Sequence, residues 1–412
     1  MVAKREMLTG NSAAAWGVRL AEIDYIPAYP ITPQTEIIET LAKWISDGVM
    51  DTRIVTMDSE HLMITAAGAA SATGVRTFTA TSSQGLLYGF EMLYTVAGWR
   101  VPLVMVNVSR GLSAPITLEP DHNDILSARD SGFLQIHCET CQEVLDSILI
   151  AYRLAEDERI LLPILVNMDG FHLSFTREPV DIPNIVDVRR FLPTYNPKHA
   201  FFKASQPMAQ GIAVLGGPIY SYFKYQMHLA SQKGLEVYKE ISKEFENIFC
   251  RKYDTLEGYM TDDAEYILIM TNSFSTLGKA AVKRARERGI KIGLLKLRLL
   301  RPFPEEDLKN AIKGCKAVAV LDQNIGVGKG GILYPEIASA IYNEQKRPML
   351  LSFIGGLGGK NINPEEFEFI FDSMIKAVET GKAQPPQLLY TETEWNEMDR
   401  LKNIAGKKLN TK

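Results

Sequence analysis

A chain of 412 residues is too long for one ordinary hydrophobic core and predicts two or three domains. Its 46% hydrophobic and 23% charged residues are those of a soluble globular protein. With 45 basic against 49 acidic side chains, the net charge of −4 offers no basic surplus for nucleic acid or an anionic membrane. No apolar run is long enough for a membrane span, and Met1-Val2-Ala3-Lys4-Arg5-Glu6 lacks a signal-peptide core, so a cytoplasmic location is expected.

In chain order, Asn11 or Ser12 is expected to cap a helix over 13–21, and a short strand follows over 25–28. Tyr29-Pro30-Ile31-Thr32-Pro33 then ends that strand and starts a helix running to about residue 45, with Thr32 as N-cap and Pro33 as first helical residue. Taken alone, a Thr-Pro signals only a helix start. The same geometry, a helix N-terminus beside a hydroxyl, also suits a carboxylate or phosphate.

The stretch from Thr56 to Gly85 is the centre of the pattern. A strand over 54–57 leads to Ser59, an N-cap that puts Glu60 and His61 in the first helical turn. The alanines from Ala66 to Ala72 favour helix, while Gly68 and Gly74 let another backbone approach. A strand over 75–79 follows, then Thr81-Ser82-Ser83-Gln84-Gly85 turns into a helix over 84–97. A carboxylate and a hydroxyl-and-amide loop thus share the carboxyl edge of neighbouring strands, where open α/β sheets bind ligands. A lone first-turn glutamate usually only compensates the helix dipole. Beside so tightly packing a helix, Glu60 is expected to be buried and able to hold or pass a proton.

A strand over 103–106 ends in a Gly/Ser/Ala/Pro loop carrying Arg110. Spacing alone leaves a surface salt bridge and a bidentate carboxylate clamp equal; Thr32 at the same edge favours the clamp. A helix over 121–131, a strand over 134–137, a helix over 142–156 and a strand over 162–167 complete the first half. Apolar strands separated by helices predict a parallel sheet covered on both faces. Cys138 and Cys141 form a lone Cys-x-x-Cys, read as two ordinary thiols at a strand–helix junction. His61 and His122 lack spaced partners for a metal and read as hydrogen-bonded structural histidines.

From Phe171 to about Tyr259 prolines and aromatics predict an extended arm, packed on a partner subunit or on its own chain, and then a helix over 220–249 with a solvated charged face. A second α/β unit starts near Ala264, with strands over 266–270, 292–296, 317–321 and 350–354 and helices over 276–288, 304–314 and 335–343. The two units show no clear repeat, and the polar tail after about Ala383 could drape over a neighbour. Gly326-Val327-Gly328-Lys329-Gly330-Gly331 matches Gly-x-Gly-x-x-Gly, but Leu350-Leu351-Ser352-Phe353 stands where a dinucleotide site needs an acid. A tight turn, or backbone contact with a neighbour, is the better reading than nicotinamide binding.

Tyr29-Pro30-Ile31-Thr32-Pro33, Ser59-Glu60-His61, Thr79-Ala80-Thr81-Ser82-Ser83-Gln84-Gly85, Ser109-Arg110-Gly111-Leu112-Ser113-Ala114-Pro115, Arg129-Asp130-Ser131-Gly132 and Asp169-Gly170-Phe171 stand together in an order and spacing that resembles the alpha subunits of the 2-oxoacid:ferredoxin oxidoreductases. The resemblance covers nearly the whole chain. It implies an α/β pyrimidine-binding-type thiamine diphosphate domain over 1–170, an arm and helix making subunit contacts over 171–260, a transketolase C-terminal-like α/β domain over 261–385 and a polar tail over 386–412. It implies that a beta subunit binds the diphosphate and Mg2+, that gamma and delta subunits carry 4Fe-4S clusters, that coenzyme A takes the acyl group and that ferredoxin or another acceptor takes the electrons.

By the same resemblance Glu60 hydrogen-bonds the aminopyrimidine ring and acts as the catalytic acid group, with Ser83, Gln84 and Gly85 beside the cofactor. Thr32 and Arg110 hold the substrate carboxylate until it leaves as CO2. Gly111, Leu118, Asp121, His122 and Asn123 fall in the loop that lies near the substrate side chain in relatives. No metal ligand is expected on this chain. Pyruvate is the first expectation for substrate. Pyruvate enzymes, however, often show Asn-Arg-Ala-Leu-Ser-Ala-Pro and then Asp-His-Ser-Asp, whereas here Ser109 and Gly111 flank Arg110 and the loop reads Ile116-Thr117-Leu118-Glu119-Pro120-Asp121-His122-Asn123-Asp124. A glycine at 111 would make room for a larger group, so phenylglyoxylate and branched 2-oxoacids are alternatives. Thr32 stands where oxalate-using relatives carry a cation, which disfavours oxalate. A non-catalytic scaffold that docks an electron-transfer partner is the alternative from another class.

Overall fold

The computed structural model describes residues 2–199 and 201–404. The chain runs β1 (Val2–Thr9), α1 (Gly10–Leu20), β2 (Tyr25–Ala28), α2 (Thr35–Ser46), β3 (Arg53–Thr56), α3 (Glu60–Ser71), β4 (Phe78–Thr81), α4 (Ser83–Tyr88), α5 (Phe90–Trp99), β5 (Val104–Ser109), α6 (Asn123–Ser127), β6 (Leu134–His137), α7 (Cys141–Ala155) and β7 (Ile164–Asp169). It continues β8 (Arg177–Pro183), α8 (Ile185–Phe191), α9 (Ile219–Phe249), β9 (Leu256–Tyr259), β10 (Tyr266–Met270), α10 (Ser275–Glu287), β11 (Ile292–Leu297), β12 (Leu299–Arg301), α11 (Glu305–Ala311), β13 (Ala317–Asp322), α12 (Leu333–Ile341), β14 (Met349–Ile354), α13 (Pro364–Thr380), β15 (Gln387–Leu388) and α14 (Glu392–Ile404).

Among the described residues the first main sheet has the order β12-β6-β7-β5-β4, with β6, β7, β5 and β4 parallel. The parallel pair β2-β3 adjoins it through a bridge from Tyr25 to Thr77, and Thr79 Oγ1 donates to Pro27 O at 2.8 Å. Strands β4, β5, β6 and β7 are buried at every position, as a sheet sandwiched between helices requires. One face packs on α1 and α7 through Ala14, Val18, Leu145 and Ile148; the other carries Ile64, Leu93, Val96 and Leu126. The second sheet has the order β15-β14-β13-β10-β11-β9, parallel except for β9. No helix among the described residues is long and apolar enough to cross a membrane.

Several local expectations are corrected by capping chemistry. The first helix starts at Gly10 because Thr9 caps it, accepting from the Ser12 N–H at 3.0 Å, while Asn11 is drawn off to donate to Pro33 O at 2.9 Å. Thr32 is not an N-cap, nor does Pro33 open the helix: α2 begins at Thr35, and Gln34 ties its side chain to Tyr29 O at 2.9 Å. The helix expected over 84–97 breaks at Gly89, where Ile64 leaves no room for a Cβ. The one expected over 121–131 is the short α6 and a 3-10 turn. Part of the arm touches its own chain: Phe202 N–H donates to Ala72 O at 2.8 Å, and Pro197 and Phe201 sit over Gly74, while Met208, Ile212, Leu215, Tyr220 and Phe223 beyond it are exposed. The tail also returns, since β15 pairs in parallel with β14. The antiparallel pairing of β1 with β8 and the helix α13 were not foreshadowed by apolar period alone.

Two features join the halves. After β11, the chain turns at the buried Arg298 and β12 crosses to pair antiparallel with β6 at the edge of the first sheet. Beside it Lys296, fully buried on β11, meets Glu139 at 2.7 Å, Glu143 at 2.5 Å and Glu257 at 2.7 Å. Arg298 meets Glu143 and Glu257, and Lys279 meets Glu139 and Glu257. These three carboxylates lie close enough together to ligate a metal, but the three cations already neutralise them.

Candidate functional site

The sequence candidates converge on the carboxyl edge of the first sheet because each follows a parallel strand: Thr32 after β2, Glu60 after β3, Ser83–Gly85 after β4 and Arg110 after β5. Ser59 does cap α3, its Oγ accepting from Leu62 N–H at 3.2 Å, and this sets Glu60 in the first turn. Glu60 is only 6% exposed, and among the described residues no side-chain hydrogen bond or ion pair satisfies its carboxylate. Gly85 is the reason it fits: a Cβ there would stand 2.6 Å from Glu60 Oε1 and 2.5 Å from Thr81 Oγ1. Thr81 Oγ1 and Ser82 Oγ are themselves buried without partners.

Arg110 is buried and gathers the other candidates. Its Nη1 donates to Thr32 O at 2.6 Å and its Nη2 to Gln84 Oε1 at 2.5 Å, while Nε has no partner. Thr32 thus contributes its carbonyl to this contact, and its residue is exposed. Burial lowers the Arg110 pKa and the charge of Asp124 opposes that, so the guanidinium remains a cation. Ser83 Oγ lies 2.9 Å from Gly111 O and 2.7 Å from Gln84 Oε1, and Gln84 Nε2 donates to Ser113 Oγ at 2.9 Å.

The loop expected to read the substrate side chain divides. Leu118 is exposed, whereas Asp121, His122 and Asn123 turn toward the second unit. His122 N–H donates to Gln323 O at 2.9 Å, Ile325 N–H to Asn123 Oδ1 at 3.3 Å, and Gly359 N–H to Pro120 O at 2.7 Å. His122 Nε2 pairs with Asp169 Oδ1 at 2.8 Å, and Asp169 in turn takes Ser273 N–H at 2.9 Å. Burial would lower the His122 pKa, but Asp169, Asp124 and Asp121 outweigh it and raise it; His122 and Ser273 hold Asp169 low. Gly111 does not open space for a larger group, because Thr117 Cγ2 would lie 2.5 Å from a Cβ there. Sequence reasoning quoted Asp124 as the last residue of that loop but gave it no role; the structure makes it the buried acid between these parts.

Elsewhere, burial pushes the Cys138 thiol up to about 12 and the Cys141 thiol higher, so both stay protonated at the junction of β6 and α7. The glycines 326–331 form a tight turn, Gly326 N–H donating to Gly330 O at 2.7 Å. Asp322 fills the space at Gly331 and caps α12 through Leu333 N–H at 2.7 Å.

A parallel sheet that gathers a buried acid, a buried arginine and a close-packed glycine at its carboxyl edge defines an α/β protein with a ligand site at that edge. Residues 16–244 match the family described as pyruvate flavodoxin/ferredoxin oxidoreductase, thiamine diphosphate-binding, and residues 264–367 match pyruvate:ferredoxin oxidoreductase core domain II. The chain belongs to the 2-oxoacid:ferredoxin oxidoreductase family, as an alpha subunit. It is 40% identical to pyruvate synthase subunit PorA of Pyrococcus furiosus over 93% of this chain and 96% of that one, and 42% identical to PorA of Methanocaldococcus jannaschii over 90% and 95%. It is 38% identical to ketoisovalerate oxidoreductase subunit VorA of Pyrococcus abyssi over 96% and 98%.

Two solved structures share the fold. A 2-oxoglutarate:ferredoxin oxidoreductase from Magnetococcus marinus with 2-oxoglutarate, coenzyme A and succinyl-CoA bound has a TM-score of 0.68 at 19% identity, covering 91% of this chain and 65% of that one. A split-gene transketolase has a TM-score of 0.53 at 11% identity, covering 91% and 98%. The PorA and VorA relatives are each named as a subunit of an oxidoreductase or synthase.

Proposed function

We propose that this chain supplies the pyrimidine side and the substrate-carboxylate site of a complex that oxidatively decarboxylates pyruvate to acetyl-CoA and CO2. The observation that carries the reading is Glu60, a largely buried carboxylate without a protein partner among the described residues, fitted against Gly85 where a side chain would displace it. A buried acid needs a donor, and the aminopyrimidine ring of thiamine diphosphate offers one at this edge. When bound, that coenzyme supplies the carbon nucleophile and holds the electron pair left by CO2. Glu60 would hydrogen-bond the ring and share a proton with it, with Ser83, Gln84 and Gly85 alongside. Arg110 supplies a fixed cation beside Thr32, and to clamp the substrate carboxylate bidentately its Nη1 and Nη2 would exchange Thr32 O and Gln84 Oε1 for the carboxylate oxygens.

Exposed Leu62, Leu87 and Tyr88 on the same helices as Glu60 and Gly85 form apolar surface for a partner to cover, excluding water from the reaction. In this reading a beta subunit brings the diphosphate and Mg2+, gamma and delta subunits bring iron–sulfur clusters, coenzyme A accepts the acyl group, and ferredoxin collects the electrons in the cytoplasm. Thr117, in the space beside Gly111, favours pyruvate over phenylglyoxylate or a branched acid. The test is Glu60→Gln in the assembled complex. Pyruvate-dependent dye reduction is expected to drop about 100-fold or more, the scale of a lost acid–base contribution. Undiminished activity would leave a docking scaffold as the better account. A substrate panel on the wild type in which phenylglyoxylate or 2-ketoisovalerate exceeds pyruvate in kcat/KM would replace the substrate.

A further inference from the structure

Asp124, on the first turn of α6, is fully buried and, among the described residues, in no ion pair. Five groups converge on its carboxylate. Oδ2 accepts from Ser83 N–H at 3.0 Å, Asn107 Nδ2 at 3.1 Å and Arg110 N–H at 3.2 Å. Oδ1 accepts from Ile125 N–H at 2.7 Å and lies 3.0 Å from Ser109 Oγ. An isolated buried ion that only stabilised the fold would be a costly solution, since a well-packed apolar residue serves as well.

The identity of the donors suggests another use. Ser83 and Arg110 are the two ends of the circuit already described, Ser83 touching Gln84 and Gln84 holding Arg110 Nη2. Ser83 has φ +48°, a left-handed conformation that a serine adopts only when held, and the hold is its N–H to Asp124. The same oxygen fixes the backbone from which the Arg110 side chain projects, and the acid's charge is felt by that guanidinium.

We propose that Asp124 is the positioning residue of the carboxylate site: from behind the loop it pins the Ser83–Gln84 turn and the Arg110 backbone at once, and so sets the affinity for the 2-oxoacid. It touches neither substrate nor cofactor. The inference rests on the reading of Arg110 as the carboxylate ligand. Asp124→Ala deletes every acceptor. Asp124→Asn is isosteric and keeps one oxygen for Ser83 and Arg110 but loses the charge.

The test compares these variants with Arg110→Lys in the assembled complex, measuring KM and kcat for pyruvate and, by calorimetry, Kd for the unreactive carboxylate mimic oxamate. D124A is expected to raise KM and Kd about tenfold or more, the scale of losing one charge-assisted hydrogen bond, with kcat changed far less. D124N restores part of the loss, about threefold above wild type. Where D124A does not assemble, D124N decides. Unchanged KM and Kd in D124N beside raised values in R110K overturn the inference and leave the site reading standing. A loss confined to kcat or thermal stability assigns Asp124 a purely structural role and overturns it too. Unchanged values in R110K remove the reading of Arg110, and the inference with it, whatever D124N shows.

Discussion

Gly85→Ala tests whether the position of the Glu60 carboxylate matters to the chemistry. Gly85 lies inside α4 with no left-handed backbone, so alanine fits the helix and, as the better helix former, favours it by about 1 kcal/mol. The new Cβ, however, falls 2.6 Å from Glu60 Oε1 and 2.5 Å from Thr81 Oγ1, where ordinary contact begins near 3.4 Å. The difference, 3.4 − 2.6 = 0.8 Å, is the distance the carboxylate must retreat, because the Cβ itself is fixed to the helix. A misplacement of about 1 Å costs on the order of 100-fold in rate, equivalent to about 2.7 kcal/mol of barrier. The assay is pyruvate-dependent dye reduction by the assembled complex, with a melting curve alongside. A fall of that order in kcat is expected in a complex that still folds, its Tm lowered by no more than an overpacking cost of about 1–3 kcal/mol accounts for. Wild-type kcat in a folded G85A complex would mean that the position of the Glu60 carboxylate does not matter to the reaction, and the argument for its role would fail.

Other expectations concern the seam between the sheets. Lys296→Met leaves Glu139, Glu143 and Glu257 with only Lys279 and Arg298, and removing one partner from such a buried set costs about 3–5 kcal/mol. An unchanged denaturant midpoint for K296M would show that the cluster contributes nothing. Burial alone would raise Glu143 and Glu257, but Arg298 and Lys296 outweigh it and hold both below the ordinary carboxyl value of 4.5. Groups depressed in the folded state add stability above their unfolded values, near 4.3, and lose it as pH falls through the folded ones. Midpoints measured on acidification should therefore decline below about pH 4, and less so in K296M; equal declines in both proteins would contradict this.

Much of the site was legible because strand ends and caps are local. Ser59 signals its own helix start, and that fixes Glu60. Arg110 after an apolar strand needed no tertiary information either. Thr32 was misread in detail because the backbone can satisfy a helix start in other ways, here by Gln34 reaching back to Tyr29. The Gly111 expectation failed for a different reason: whether a missing side chain leaves space depends on what folds into it, and Thr117 does. The role of Asp124 was not legible since its donors come from the β4–α4 turn and the end of β5, brought together only by the fold. The pairing of β1 with β8 is likewise a contact across about 170 residues that no local period records.

The crossing of β12 has a practical corollary for anyone wishing to dissect the polypeptide. Because Leu299–Arg301 completes the edge of a sheet made otherwise from residues before 170, cutting near residue 260 would strip the amino-terminal fragment of its border strand and expose β6. Either fragment expressed alone is expected to aggregate, while co-expressing the two would let the missing strand find its place.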